Sequence, residues 1–157
     1  MPTTNGNCPV SASASASTNA NLVGIFFDRE SSHAAKPALI WNDGIAATFG
    51  GLATEVGRFR AALEQLGVKP GDRVMVKSEN SPSFVYTYLA VLAAGAIFVP
   101  MNAAYTAAEV ALLIEDAEPS LLVHASATPV PDEATAPVRR ITLEPDGTGA
   151  LPDLAAD

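Results

Sequence analysis

Residues that usually carry chemistry are scarce in this chain. Among its 157 residues there is one cysteine, Cys8, and there are two histidines, His33 and His124. A lone cysteine allows no internal disulfide and no cysteine-type metal site. Neither histidine has a nucleophile or a ligand pattern beside it, so neither a catalytic triad nor a metal pair is supported. Positive charge is short as well: nine Lys and Arg stand against seventeen Asp and Glu, for a net charge of −8. That balance repels phosphate backbones and anionic membrane surfaces, which argues against nucleic acid as a partner. No uninterrupted apolar run is long enough to cross a bilayer. No Lys or Arg precedes Arg29, and the Ser/Ala-rich run at 11–18 lacks the apolar centre of a secretory signal. Residues 1–20 are therefore expected to form a disordered tail, and a cytoplasmic, reducing compartment is expected for the chain.

What the chain does have is apolar material, at 48% hydrophobic against 17% charged residues. A chain of this length supports one domain that buries roughly two thirds of its unfolded surface. The organising stretch is 71–123. In it three short apolar runs, 74–76, 96–99 and 121–123, alternate with two helical patterns. Alternation of this kind predicts an α/β fold, an open and mostly parallel twisted sheet with helices on both faces.

The flanking residues agree with that plan. Asn21 can cap a short helix bearing Leu22, Ile25 and Phe26. Runs at 38–41 and 45–49, separated by Asn42, Asp43 and Gly44, read as a hairpin. Leu52, Val56, Phe59, Leu63 and Leu66 recur at helical spacing after Thr48, Gly67 supplies a left-handed stop, and Pro70 with Gly71 fits a type II turn. Gly50, Gly51 and Gly57 follow no buried strand, so a phosphate loop is not indicated. Ser81 and Pro82 open a second helix, apolar nearly all round, that runs to Gly95. Its aromatics Phe84, Tyr86 and Tyr88 read as packing rather than as a binding platform. Thr106 and Glu109 form a capping box for a third helix with Val110, Leu113 and Ile114. The acidic group Glu115, Asp116 and Glu118 at that helix's end reads as a solvated terminus and not as an acid–base pair. Residues 126–157 are loosely specified, with an apolar run near 141–143 that suggests a further strand. Ligands in such sheets bind outside the carboxyl ends of the strands, here the segments 77–81 and 100–105.

Several pieces carry a family resemblance: LGVKPGDRVMV at 66–76, the corner Asn80, Ser81, Pro82, YLAVLAAGAIFVPMNAAYTAAEV at 88–110, and DAEPSLLV at 116–123. In these, over about residues 21–125, the chain resembles the N-terminal α/β part of adenylate-forming acyl-CoA synthetases. NAAYT and DAEPSLLV make it most similar to malonyl-CoA synthetases. The resemblance implies a two-step reaction, in which ATP and a carboxylic acid give an acyl adenylate and coenzyme A then displaces AMP. ATP, magnesium and coenzyme A are thus implied for the full-length family. The family's Ser/Thr/Gly-rich phosphate loop ending in Pro-Lys-Gly is absent from the 157 residues, as are its later adenine and ribose motifs and its lysine-bearing C-terminal domain. No catalytic, cofactor-binding or metal residue can be carried over. Gly51 also departs from the family, which often places an acidic residue before Leu52.

These departures lead to the expectation of a truncated ligase piece, inactive alone, that binds no cofactor by itself, awaits the remainder of the enzyme and self-associates through exposed helix faces such as 84–92. A stand-alone binding or interaction module without catalysis, and a relic of a broken reading frame, are the competing readings. Neither the acid used nor the oligomeric state follows from the residues.

Overall fold

The structure, a computed structural model, describes residues 23–24, 33–133 and 136–156. The expected tail and most of the expected first helix, including Leu22, Ile25 and Phe26, lie outside the described residues; Val23 is helical and buried.

The chain enters through an antiparallel hairpin of β1 (Pro37–Trp41) and β2 (Gly44–Thr48). Asn42 and Asp43 turn it with φ of 48° and 61°. Two consecutive positive φ values define the turn whose twist matches the strands, and Asn and Asp are among the few residues that adopt it cheaply. The second strand ends one residue sooner than the apolar run suggested, because Thr48 is spent as the cap of helix α1 (Phe49–Gln65), its Oγ1 accepting from the Gly51 amide at 3.2 Å.

Helix α1 buries Leu52, Val56, Phe59 and Leu63 as their spacing requires, with Ala62 filling the stripe, while Leu66 becomes the half-buried C-cap. Gly67 follows at φ 81°, and the Pro70–Gly71 turn closes with the Asp72 amide donating to the Lys69 carbonyl at 3.0 Å.

Four strands then form one parallel sheet: β3 (Arg73–Lys77), β4 (Ile97–Pro100), β5 (Leu121–His124) and β6 (Arg140–Thr142), in the spatial order β4-β3-β5-β6. Strand β4 begins at Ile97 because the Ala96 amide still belongs to the preceding helix end, donating to the Val91 carbonyl. Proline closes β4 without cost because β4 is an edge strand. The expected strand near 141–143 exists one residue earlier.

Helix α2 (Pro82–Ala93) joins β3 to β4, and α3 (Ala107–Ala117) joins β4 to β5. One sheet face, with Val74, Val76, Leu121, Val123 and Ile141, packs against α1, α2 and the last helix, α4 (Ala150–Ala156). Met75 and Leu122 point to the other face, where Met101, Val110, Ile114, Ala136 and Val138 cover them. Side chains alternate between faces as a strand's period of two demands. The face of α2 expected to lie bare is half covered instead. Ala90 and Val91 are fully buried, Phe59 meets Tyr86 edge-on at 6.0 Å, and only Tyr88 stays exposed among its large apolar residues.

Residues read as loosely specified thus include a strand and a helix. Helix α4 escapes sequence reading because its N-terminal support comes from afar: Thr142 Oγ1 accepts from the Ala150 amide at 3.0 Å.

Candidate site at the carboxyl ends of the strands

Strand β3 leads into α2 on one face, whereas β5 leads into a segment that covers the other, so the chain parts in opposite directions between these two neighbours. A crevice outside the carboxyl ends is the usual ligand position in such a sheet. Lys77, His124 and Thr142 stand side by side there as register partners.

Lys77 is the unexpected member. The sequence Arg-Val-Met-Val-Lys suggests a strand with a charged residue at each end, yet Lys77 is fully buried while Arg73 is exposed. Alternation turns both to the same face as Met75, and the difference is the cover: Lys77 lies under two loops. Its Nζ donates to the Ala103 carbonyl at 3.0 Å and to the Pro129 carbonyl at 2.9 Å. Loss of water disfavours the ammonium, so burial pulls its pKa below the usual lysine value. No carboxylate forms an ion pair with it among the described residues, where the ion pairs are Arg58–Glu55 and Arg60–Glu64.

Most other polar groups of this end shape loops. Ser81 caps α2, accepting from the Phe84 amide at 3.1 Å. Asn102 Oδ1 accepts from the Ala104 amide at 2.9 Å and turns the loop before α3. Thr106 and Glu109 complete the expected capping box. The Thr106 amide and hydroxyl both donate to the Glu109 carboxylate at 2.8 Å, and these bonds hold its pKa below the usual carboxylate range. Thr128 donates its hydroxyl to the Ala125 carbonyl at 2.7 Å, and Glu144 accepts from the Ser126 amide at 2.9 Å. Bonds from Ser126 likewise lower the Glu144 pKa, and bonds from Thr148 that of Asp146. Burial, aided by Glu55, raises that of Tyr86, on the helix-covered face. Ser78 Oγ is buried with no hydrogen-bond partner among the described residues.

Each shifted group thus has a structural explanation in burial, a cap or a turn, and no nucleophile sits against a base among the residues at this end. No cluster of three or more His, Cys, Asp or Glu among the described residues could hold a metal ion. Gly50 and Gly51 lie in the first turn of α1 and Gly57 in its interior, far along the chain from this crevice. Glu115, Asp116 and Glu118 are exposed at the other end of α3, beside a groove of about 960 Å³ that continues to Pro119, Ala136 and Pro137. None of the described helices is long and apolar enough to span a membrane.

Comparison with known proteins supplies what the residues do not. A family model described as AMP-binding enzyme matches residues 26–154. The chain is similar to L-proline--[L-prolyl-carrier protein] ligase of Streptomyces coelicolor, with 32% identity over 80% of this chain and 23% of that protein. It is similar to feruloyl-CoA synthase of an Amycolatopsis species, with 37% identity over 52% of this chain and 16% of that protein. Among solved structures, apo MatB from Rhodopseudomonas palustris superposes with a TM-score of 0.79 at 33% identity, over 88% of this chain and 28% of that one. The same enzyme has been solved with ATP bound. The chain spans about a quarter or less of the curated relatives it matches.

Proposed function

The chain belongs to the AMP-binding enzyme family, the adenylate-forming ligases, and from that premise we propose that it forms the opening part of an acid–thiol ligase. In this reading the complete ligase activates a small carboxylic acid, malonate or one close to it, with ATP and magnesium. It then passes the acyl group from AMP to coenzyme A. The observation that carries the proposal is the MatB superposition at 33% identity, joined to the loop Asn102, Ala103, Ala104, Tyr105, Thr106 at the carboxyl end of β4. That loop enters α3 through the capping box, so its course over the crevice is fixed by local bonds.

The chemistry needs preorganised charge for the phosphates and for the reacting carboxylate. At the crevice the cation is Lys77, and two of its three N–H donors are engaged by carbonyls. We therefore assign residues 33–156 a scaffolding role and place adenylate formation in the remainder of the ligase, which docks as a partner. A cytoplasmic location fits substrates of this kind. Exposed Ile40, Ile45, Ile97 and Leu112 are surfaces through which the chain would self-associate in the absence of that remainder.

A stand-alone interaction module is the second reading, favoured by the core this chain closes for itself: Leu63, Leu121, Leu143 and Leu151 are all but inaccessible. The two readings separate in one complementation assay. Mixing the chain with a polypeptide comprising the rest of a MatB-type ligase should yield acyl-CoA from malonate, ATP and coenzyme A. A mixture that forms a complex but no thioester, with malonate or any short acid, would favour the module.

A further inference from the structure

A parallel sheet must be covered on both faces, and a helix does this without leaving its own backbone unbonded. The face carrying Met75 and Leu122 has α3 over one half. Between β5 and β6 the described residues form only isolated turns, such as the Ala136 amide on the Asp132 carbonyl, and several other carbonyls are bonded by long cationic side chains from the sheet. Lys77 reaches the Pro129 carbonyl, and Arg140 reaches those of Pro131 and Ala136. Lys77 alone also reaches the neighbouring loop, at Ala103, 26 residues ahead in sequence, while Pro129 is 52 ahead.

We propose that Lys77 is a clamp that fixes the 101–105 loop and the 125–131 segment to each other over the crevice, so that the two open together rather than separately. The geometry supports a shared opening. Beyond the Lys77 bonds, the Met101 amide is tied to the Val76 carbonyl and the Ala125 amide to the Lys77 carbonyl, so both segments are anchored at the sheet and joined at Nζ. Their remaining side-chain bonds do not join the two segments: Asn102 serves Ala104 and Thr128 serves Ala125 locally, while Glu144 and Arg140 hold Ser126 and Pro131 of the second segment alone. Breaking the Nζ contacts leaves two independent loops on an intact sheet. This linkage holds whichever reaction the site supports.

Hydrogen exchange of the 157-residue chain tests it, with Lys77→Met against wild type. Peptides covering 101–105 and 125–131 should each exchange about tenfold faster in the variant, the effect of losing hydrogen bonds from a charged donor. Peptides covering 73–76 and 121–123 should be unchanged. An increase in one loop only, in neither, or uniformly through the sheet would overturn the clamp. Should the variant fail to fold, lysine acylation of the wild type decides. Lys77 should label far more slowly than exposed Lys36 and Lys69, and with rising denaturant its labelling should track the exchange of both loops. Labelling as fast as Lys69, or tracking one loop alone, would overturn it.

Discussion

The two faces of the sheet are covered by different means. One lies under α1, α2 and α4, whose backbones bond internally except at capped ends and whose side chains interlock around Leu63, Val91 and Leu151. The other lies under α3 and a segment in which the carbonyls of Pro129, Pro131 and Ala136 are bonded by Lys77 and Arg140. The first arrangement is built from apolar area and should fail only globally. The second depends on a few polar bonds and can fail locally, beside the crevice where ligands of such sheets sit.

The sharpest way to break this contrast is a cavity on the helix-covered face. Leu63→Ala removes a fully buried side chain and should cost about 2–5 kcal/mol, seen as a lower urea midpoint for every probe at once. Lys77→Met, in contrast, should loosen the crevice loops and leave the core.

Next come the helix starts. Thr48 accepts only from Gly51, which sits where a capping box would place an acid, whereas Thr106 has Glu109 there. An added Cβ at Gly51 meets nothing closer than Thr48 Oγ1 at 3.4 Å. Gly51→Glu should therefore stabilise the chain by about 1 kcal/mol, through lost glycine freedom and a completed box. An unchanged or lower midpoint would show that α1 gains nothing from the reciprocal bond. Thr106→Ala should cost about 1 kcal/mol.

The smallest effect is the pH dependence of that box. The folded pKa of Glu109 lies below its unfolded value because Thr106 donates to the carboxylate, so its contribution is present at neutral pH. It is lost as pH falls through the depressed folded value, below the ordinary carboxylate range near about 4. The gap in urea midpoint between wild type and Thr106→Ala should narrow on acidification; a constant gap would assign the effect to the hydroxyl alone.

How much of this was legible in the residues depends on where each bond partner lies. The hairpin, α1 to α3 and strands β3 to β5 are signalled by local features: Asn42 with Asp43, the stripe from Leu52 to Leu63, the Ser81–Pro82 corner, the Thr106 box. Strand β6 was visible as an apolar run but displaced by one residue, since Arg140 joins the sheet while its guanidinium serves Pro131. Helix α4 was not visible, because Thr142 caps it across a turn. The parallel pairing that brings segments 77–81 and 100–105 to one end of the sheet followed from the alternation of strands and helices. The burial of Lys77 was not foreseen, because only the assembled loops bring the carbonyls of Ala103 and Pro129 to one amine.

The central claim, that this chain frames a ligase site without performing its chemistry, is tested most directly by ATP–pyrophosphate exchange. The purified 157-residue chain, given ATP, magnesium and malonate or other short acids, should show no acid-dependent exchange above background. Exchange that depends on the acid and co-purifies with the chain would contradict the account.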